Sequence, residues 1–157
     1  MVRQTQNGFT LVEMLVTLSI VGILTAIAAP SFTSLIASQN IRISASMLQS
    51  SLLQARSEAI KRNTVVTVSP NGGQWASGWT VTVLSGGEVV SSNNNSTQAV
   101  ITAGTSTTLP ANVQYNNAGR PSVGGGSTFK LSSSATSDIR CLNVNLSGMP
   151  MITASGC

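Results

Sequence analysis

Between Glu13 and Arg42 the chain carries no charged residue. The first part of that run, Met14 to Pro30, is dominated by Leu, Ile, Val and Ala. Taken from Phe9, the segment to Pro30 is 22 residues, roughly 33 Å of helix at about 1.5 Å per residue. That length matches a hydrocarbon core of about 30 Å. One carboxylate, Glu13, sits just inside the start. A carboxylate in lipid is expensive, so it marks function and implies a partner. The polar leader Met1 to Gly8 carries one charge, Arg3. By the positive-inside rule it stays cytoplasmic while the rest crosses. A secretory signal peptide is the competing reading, because Ala26-Ile27-Ala28 offers a small-x-small cleavage site. An h-region, however, is usually about 7–15 residues long and free of carboxylates. The helical pattern also continues past Ala28 to about Arg62.

The residues Gly8-Phe9-Thr10-Leu11-Val12-Glu13 resemble the prepilin cleavage motif of type IV pilins and type II secretion pseudopilins. The resemblance implies cleavage after Gly8 by a prepilin peptidase and N-methylation of Phe9. It implies a single-pass protein of the bacterial inner membrane, leader in the cytoplasm and head in the periplasm. The helix would remain as anchor and later become filament core. Glu13 would pair with the new N-terminal amine of a neighbouring subunit. The physics agrees, since an unpaired buried carboxylate costs far more than a paired one. The implied partners are other pilin or pseudopilin subunits, the peptidase and inner-membrane lipid.

Only 8% of the 157 residues are charged, His is absent, and the net charge is +4. Most of that charge lies on the helix, where Arg42, Arg56, Lys61 and Arg62 oppose Glu58. From Asn63 on, Arg120, Lys130 and Arg140 oppose Glu88 and Asp138, three cations against two carboxylates. A nearly neutral head argues against non-specific nucleic-acid binding, which needs clustered Lys and Arg. Two cysteines, Cys141 and Cys157, read as a disulfide in an exported domain; two buried free thiols are the alternative. Two thiols without His cannot complete a four-ligand metal site. No cofactor is implied.

Ser31 to Arg62 reads as an amphipathic helix. Ile41, Ala45, Leu48, Leu52, Ala55 and Ala59 recur at steps of three and four and make one face. Ser44, Gln49, Arg56 and Lys61 fall elsewhere. Pro30 should kink or interrupt the helix, within one long helix of about 50 residues. After Asn63 the period changes to two. Val66 to Ser69, Trp79 to Val83, Glu88 to Val90, Gln98 to Thr102, Val113 to Tyr115, Thr128 to Leu131, Ile139 to Leu146 and Met151 to Thr153 are strand candidates. Pro70-Asn71-Gly72-Gly73 and Ser85-Gly86-Gly87 are turns. Ser91 to Thr97 reads as a polar loop and Gly119 to Gly126 as a glycine-rich loop. Short strands with Gly-rich turns indicate an antiparallel sheet or sandwich.

Trp75-Ala76-Ser77-Gly78-Trp79, placed on the second strand, and Asn117-Ala118-Gly119-Arg120-Pro121 resemble the GspH/FimT group of minor pilins and pseudopilins. The implied fold is α+β and type IV pilin-like: a long N-terminal helix, its first half transmembrane, packed on a small antiparallel β-sheet head. The organisation is then a leader 1–8, a membrane and filament-core helix 9–30, an amphipathic continuation 31–62 and a β-rich head 63–157. Both Trp side chains read as core. Arg120, alone in a neutral turn, reads as a solvated loop residue or as a contact to a neighbouring subunit. Some FimT-branch members bind DNA through a Gly-Arg-x-Arg motif in the last hairpin. Here that place reads Gly148-Met149-Pro150-Met151, without either arginine. Catalytic triads are excluded by the missing His, and Gly124-Gly125-Gly126 has no following Lys or helix to make a phosphate loop. The chain reads as a non-enzymatic assembly subunit. DNA uptake, or release as a free periplasmic protein, are the alternatives.

Overall fold

The structure is a computed structural model that describes residues 8–94, 99–104 and 108–157. The expected leader before Gly8, Gln98 and the end of the Ser91–Thr97 loop lie outside the described residues.

Helix α1 spans Leu11–Arg62, 52 residues. Its start is fixed by Thr10, an extended residue whose Oγ1 accepts the Glu13 N–H at 3.2 Å. Thr10-x-x-Glu13 therefore has the spacing of a capping box. Its end is fixed by Asn63 in the left-handed region, with φ 51°. The Thr64 N–H donates to Ala59 O and the Asn63 N–H to Ile60 O, which is a Schellman stop. Lys61 and Arg62 in the last turn complement the helix dipole. The expected interruption at Pro30 does not occur, and α1 runs through it. A proline removes one N–H from the ladder, and the intact turns on either side carry the helix past it.

Among the described residues nine strands follow, all pairing antiparallel. They are β1 Val66–Pro70, β2 Trp79–Val83, β3 Val89–Asn93, β4 Val100–Ala103, β5 Val113–Tyr115, β6 Pro121–Val123, β7 Thr128–Ser133, β8 Thr136–Val144 and β9 Pro150–Thr153. They form two sheets rather than one, ordered β3-β2-β1-β5-β6 and β4-β7-β8-β9. Helix α1 touches both, meeting β1, β2 and β5 of the first and β7, β8 and β9 of the second. This architecture is α+β. Ile41, Ala45, Leu48, Leu52, Ala55 and Ala59 are fully buried, as their spacing predicts. The covered stripe is wider than that row because two sheets flank the helix. Ser44, expected outside it, is buried, and Gln49 and Arg56 are half-buried.

Three segments differ from the sequence reading. Trp75 does not lie on β2 but in a 3₁₀ turn, Trp75–Ser77, ahead of it. From there its ring meets Phe129 of the other sheet edge-to-face, centroids 4.9 Å apart, while Nε1 donates to Pro110 O at 2.9 Å. Ser91 to Asn93 belong to β3 and not to a loop, because Asn93, Ser92 and Ser91 pair with Trp79, Thr80 and Val81. An edge strand facing water needs no apolar residues to form a ladder. Within the glycine-rich stretch, Pro121 to Val123 pair with β5 as β6.

Strands β6 and β9 are edges, and each begins with proline. Just before them, Arg120 O accepts from Asn116 N–H at 2.9 Å and Met149 O from Asn145 N–H at 3.3 Å. The next position in an antiparallel pair points its backbone groups away from the partner. Pro121 and Pro150 occupy those positions, so no N–H faces outward there. The outward Pro150 carbonyl is taken by Gln49 Nε2 at 3.0 Å.

Cys141 and Cys157 are bonded, with Cα atoms 5.4 Å apart, pinning the C-terminus to β8. Closing a loop of sequence separation 16 stabilises by about 3 kcal/mol on the chain-entropy estimate. Replacing both cysteines with serine should lower the unfolding free energy of residues 31–157 by about that amount. A urea titration with and without reductant checks it: reductant should shift only the parent protein.

Candidate functional site

The described N-terminus is an apolar rod with one charge. Phe9 is exposed, and so is every apolar side chain from Leu11 to Ile27. This helix is long and apolar enough to cross a membrane. Glu13 lies in its first turn. No cation among the described residues reaches ion-pair distance of its carboxylate. The Thr10 hydroxyl engages the Glu13 backbone and so orders the turn that follows Gly8 and Phe9.

At the other end of the helix two loops share one construction. Asn116-Asn117-Ala118-Gly119-Arg120-Pro121 joins β5 to β6, and Asn145-Leu146-Ser147-Gly148-Met149-Pro150 joins β8 to β9. In each, Asn Oδ1 accepts the N–H four residues on, from Arg120 at 3.0 Å and from Met149 at 2.9 Å. In each, the glycine N–H donates to the asparagine carbonyl, and the glycine has positive φ, 69° at Gly119 and 86° at Gly148. Arg56 of α1 ties the pair together. Its Nε donates to Gly119 O at 3.0 Å, and its Nη1 reaches Met149 Sδ. The sequence reading set Arg56 apart from the packed face and missed this role. The repeat Asn-x-x-Gly-x-Pro was the available signal.

Arg120 stands exposed on the first loop, held there by its own backbone rather than by a carboxylate. Leu146, Met149, Met151 and Val123 are also exposed in this region. The remaining basic residues of the helix end are neutralised. Arg62 grips Glu88 with two nitrogens at 2.7 and 3.1 Å and reaches Glu58 at 2.6 Å, while Lys61 lies 3.6 Å from Glu58. The hydrogen bonds from Arg62 hold both carboxyls below their usual range and push the guanidinium pKa up. These pairs are open to solvent, so they add little stability but cancel the basic end in place. Arg140 lies away from them, on β8 beside Asp138.

Beneath the two loops, Tyr115 is fully buried and its hydroxyl has no hydrogen-bond partner among the described residues. Burial pushes its pKa up to about 12, with the Arg56 charge acting in the opposite sense. A buried hydroxyl without a partner costs about 1–3 kcal/mol. Tyr115→Phe should therefore leave stability equal or raise it by about 1 kcal/mol. The raised pKa also fixes a pH dependence. The folded state holds this proton more tightly than the unfolded chain, so the Tyr115 contribution is intact below about pH 10 and lost as pH climbs toward about 12. Urea midpoints from neutral to alkaline pH should fall less steeply for the phenylalanine variant.

A family model described as type II transport protein GspH matches residues 44–148. A second, described as the prokaryotic N-terminal methylation motif, matches residues 3–29. Two crystal structures of the type IV minor pilin FimU from Pseudomonas aeruginosa share the fold. One, in space group P21, has a TM-score of 0.59 and 17% identity, covering 75% of this chain and 90% of that one. The other, in space group P65, has a TM-score of 0.56 and 16% identity, covering 71% and 91%. No curated protein matches the chain. A long N-terminal helix on antiparallel sheets is thus the type IV pilin fold of FimU. The first family match runs over more than half of the sequence, and on that basis the chain belongs to the GspH family, whose members are structural and non-enzymatic.

Proposed function

We propose that this chain is a minor pilin or pseudopilin, a subunit that waits in the inner membrane and is then packed into a type IV pilus or a type II secretion pseudopilus. The leader 1–8 is removed after Gly8 by prepilin peptidase, and Phe9 becomes the N-methylated first residue. Residues 9–30 are the anchor, residues 31–62 carry it into the head, and residues 63–157 form the periplasmic head. Glu13 then pairs with the amine of a neighbouring subunit. Arg120 offers a contact to a neighbouring head.

The observation that carries this reading is the two-part helix. One continuous α1 lays one face on the head from Ala37 on and is exposed from Leu11 to Ile27, with one carboxylate near its tip that has no ion-pair partner among the described residues. Bare apolar surface of that extent is not stable in water. Lipid covers it first and neighbouring helices later. The methylation-motif match over residues 3–29 supports the same processing. Signal-peptidase release near Ala28 would cut within this continuous helix. DNA uptake loses support because Lys61 and Arg62, the cations nearest the basic end, are already paired with Glu58 and Glu88.

The intact mass of membrane-extracted protein tests the reading. The expected mass begins at methylated Phe9, and a start at Ala29 or Pro30 overturns it. Co-purification of adjacent subunits from membranes then tells pilus from pseudopilus.

A further inference from the structure

The turn Pro70-Asn71-Gly72-Gly73 holds the one Asn-Gly pair beyond residue 8. Asparagine before glycine suits a tight turn but is chemically fragile, because a residue without Cβ leaves its nitrogen free to reach the Asn Cγ. The Gly72 nitrogen attacks Cγ and closes a five-membered imide. The Cγ–Nδ2 bond breaks, and ammonia leaves with the Gly72 amide proton. Water then opens the imide on one side or the other. The product is aspartate or isoaspartate, with one new negative charge, and water is the only co-reactant.

The fold opposes the movements that ring closure needs. Asn71 opens a 3₁₀ turn, Asn71–Gly73. Its N–H donates to Gly78 O at 2.9 Å, and its carbonyl accepts the Gln74 N–H at 3.1 Å. Bringing the Gly72 nitrogen round to Cγ rotates the peptide plane and breaks the second of these bonds. The carboxamide is engaged at both ends. Oδ1 accepts from Thr80 Oγ1 at 2.9 Å, while Nδ2 donates to Asn93 O at 3.1 Å and to Asn94 Oδ1 at 3.3 Å. Ser92 Oγ in turn donates to Asn94 Oδ1 at 2.7 Å. Turning Cγ toward the backbone withdraws the amide from these partners. Gly78 keeps the joint close, since a Cβ there would overlap Asn93 O and lie 3.1 Å from Asn71 Nδ2. One side chain thus latches the β1–β2 connection to the last residue of edge strand β3.

We propose that Asn71 is a site of spontaneous deamidation, that this latch delays the reaction in the folded head, and that conversion releases the end of β3. An ionised aspartate at 71 has acceptors only. They face the Asn93 carbonyl and Asn94 Oδ1, which accept as well, so two attractions become repulsions at the edge of the first sheet. Isoaspartate adds a carbon to the main chain and shifts the turn besides.

The test follows full-length protein in detergent micelles, in warm and mildly alkaline buffer, by the mass gain of the fragment that contains Asn71. A synthetic peptide of residues 68–75 gives the rate without a fold. Conversion in the protein should be slower by about tenfold or more, because the side-chain hydrogen bonds must open first and each counts for about two- to tenfold. Thr80→Val and Asn94→Ala each remove one partner and should speed conversion by about that factor. Thr80→Ser keeps the hydroxyl and should convert at the parent rate. Asn71→Asp installs the product directly and should quicken hydrogen exchange over residues 89–94 by about tenfold. Equal rates in peptide and protein, or a rate indifferent to both Thr80→Val and Asn94→Ala, overturn the latch. Conversion in neither sample overturns the site. Exchange unaltered by Asn71→Asp overturns the release of β3.

Discussion

Glu13→Ala is expected to leave the subunit processed and abundant in the membrane, yet to lower its incorporation into filaments by about a hundredfold or more. The magnitude is that of removing one partner from a buried ion pair, about 3–5 kcal/mol, since every 1.4 kcal/mol or so is tenfold. Within the subunit the carboxylate only complements the helix start, and it has no ion-pair partner among the described residues. The cap contact from Thr10 goes to the Glu13 backbone N–H, which alanine retains. The proposed partner, a neighbour's amine, exists only in the filament. Immunoblots of sheared filaments against whole membranes read the two pools separately. Glu13→Gln refines the result: it keeps the shape and some hydrogen bonding but no charge, and should fail nearly as badly. Normal incorporation of the alanine variant removes the pairing from the proposed function.

Gly148→Ala is expected to destabilise the head by about 3 kcal/mol or more. A Cβ at this position would overlap the carbonyl oxygen of Gly119 and lie 3.3 Å from both Arg56 Nε and Tyr115 Cε1. The backbone adds strain, because φ is 86°, a region that costs an L-residue about 1–2 kcal/mol. Overpacking contributes about 1–3 kcal/mol more. Gly86→Ala separates the two effects. Its φ is 93°, but nothing lies within 4 Å of the added Cβ. It should therefore lose only the backbone part. Thermal melts of residues 31–157 compare them, with Tm falling by about 10 °C for Gly148→Ala and by much less for Gly86→Ala. Equal losses would mean that the two loops are not packed against each other.

The sequence made α1 legible because its apolar positions repeat at helical spacing beneath the head and are continuous before it. Strands β1, β2, β5 and β7 were legible because Val, Trp, Tyr, Phe and Leu alternate there with polar residues. Strand β3 was read too short and β6 was missed, since Ser, Asn and Gly at a solvent edge carry no hydrophobic period. The packing of Arg56 was hidden for a different reason. Its two contacts lie 63 and 93 residues away, and no local pattern on a helix encodes such distances. Ser44 misled because a one-row stripe assumes one covering sheet. Of the candidate site, Gly8, Phe9 and Glu13 were visible as a motif. The Thr10 cap was visible too, in the spacing Thr10-x-x-Glu13, but was not read.

The prolines that open β6 and β9 have a consequence for the proposed membrane-anchored subunit, which would be stockpiled in two dimensions. Confined to a membrane, copies meet edge to edge at high local concentration. A naked strand edge is a template for sheet growth between copies. At Pro121 and Pro150 the outward donor is missing, and beside Pro150 the acceptor is already occupied by Gln49. Sideways pairing of heads loses a ladder position at the start of each of these two margins. Under the proposed function such a reservoir would stay fluid until assembly, and association between heads would be left to side chains, whose pairing can be selective.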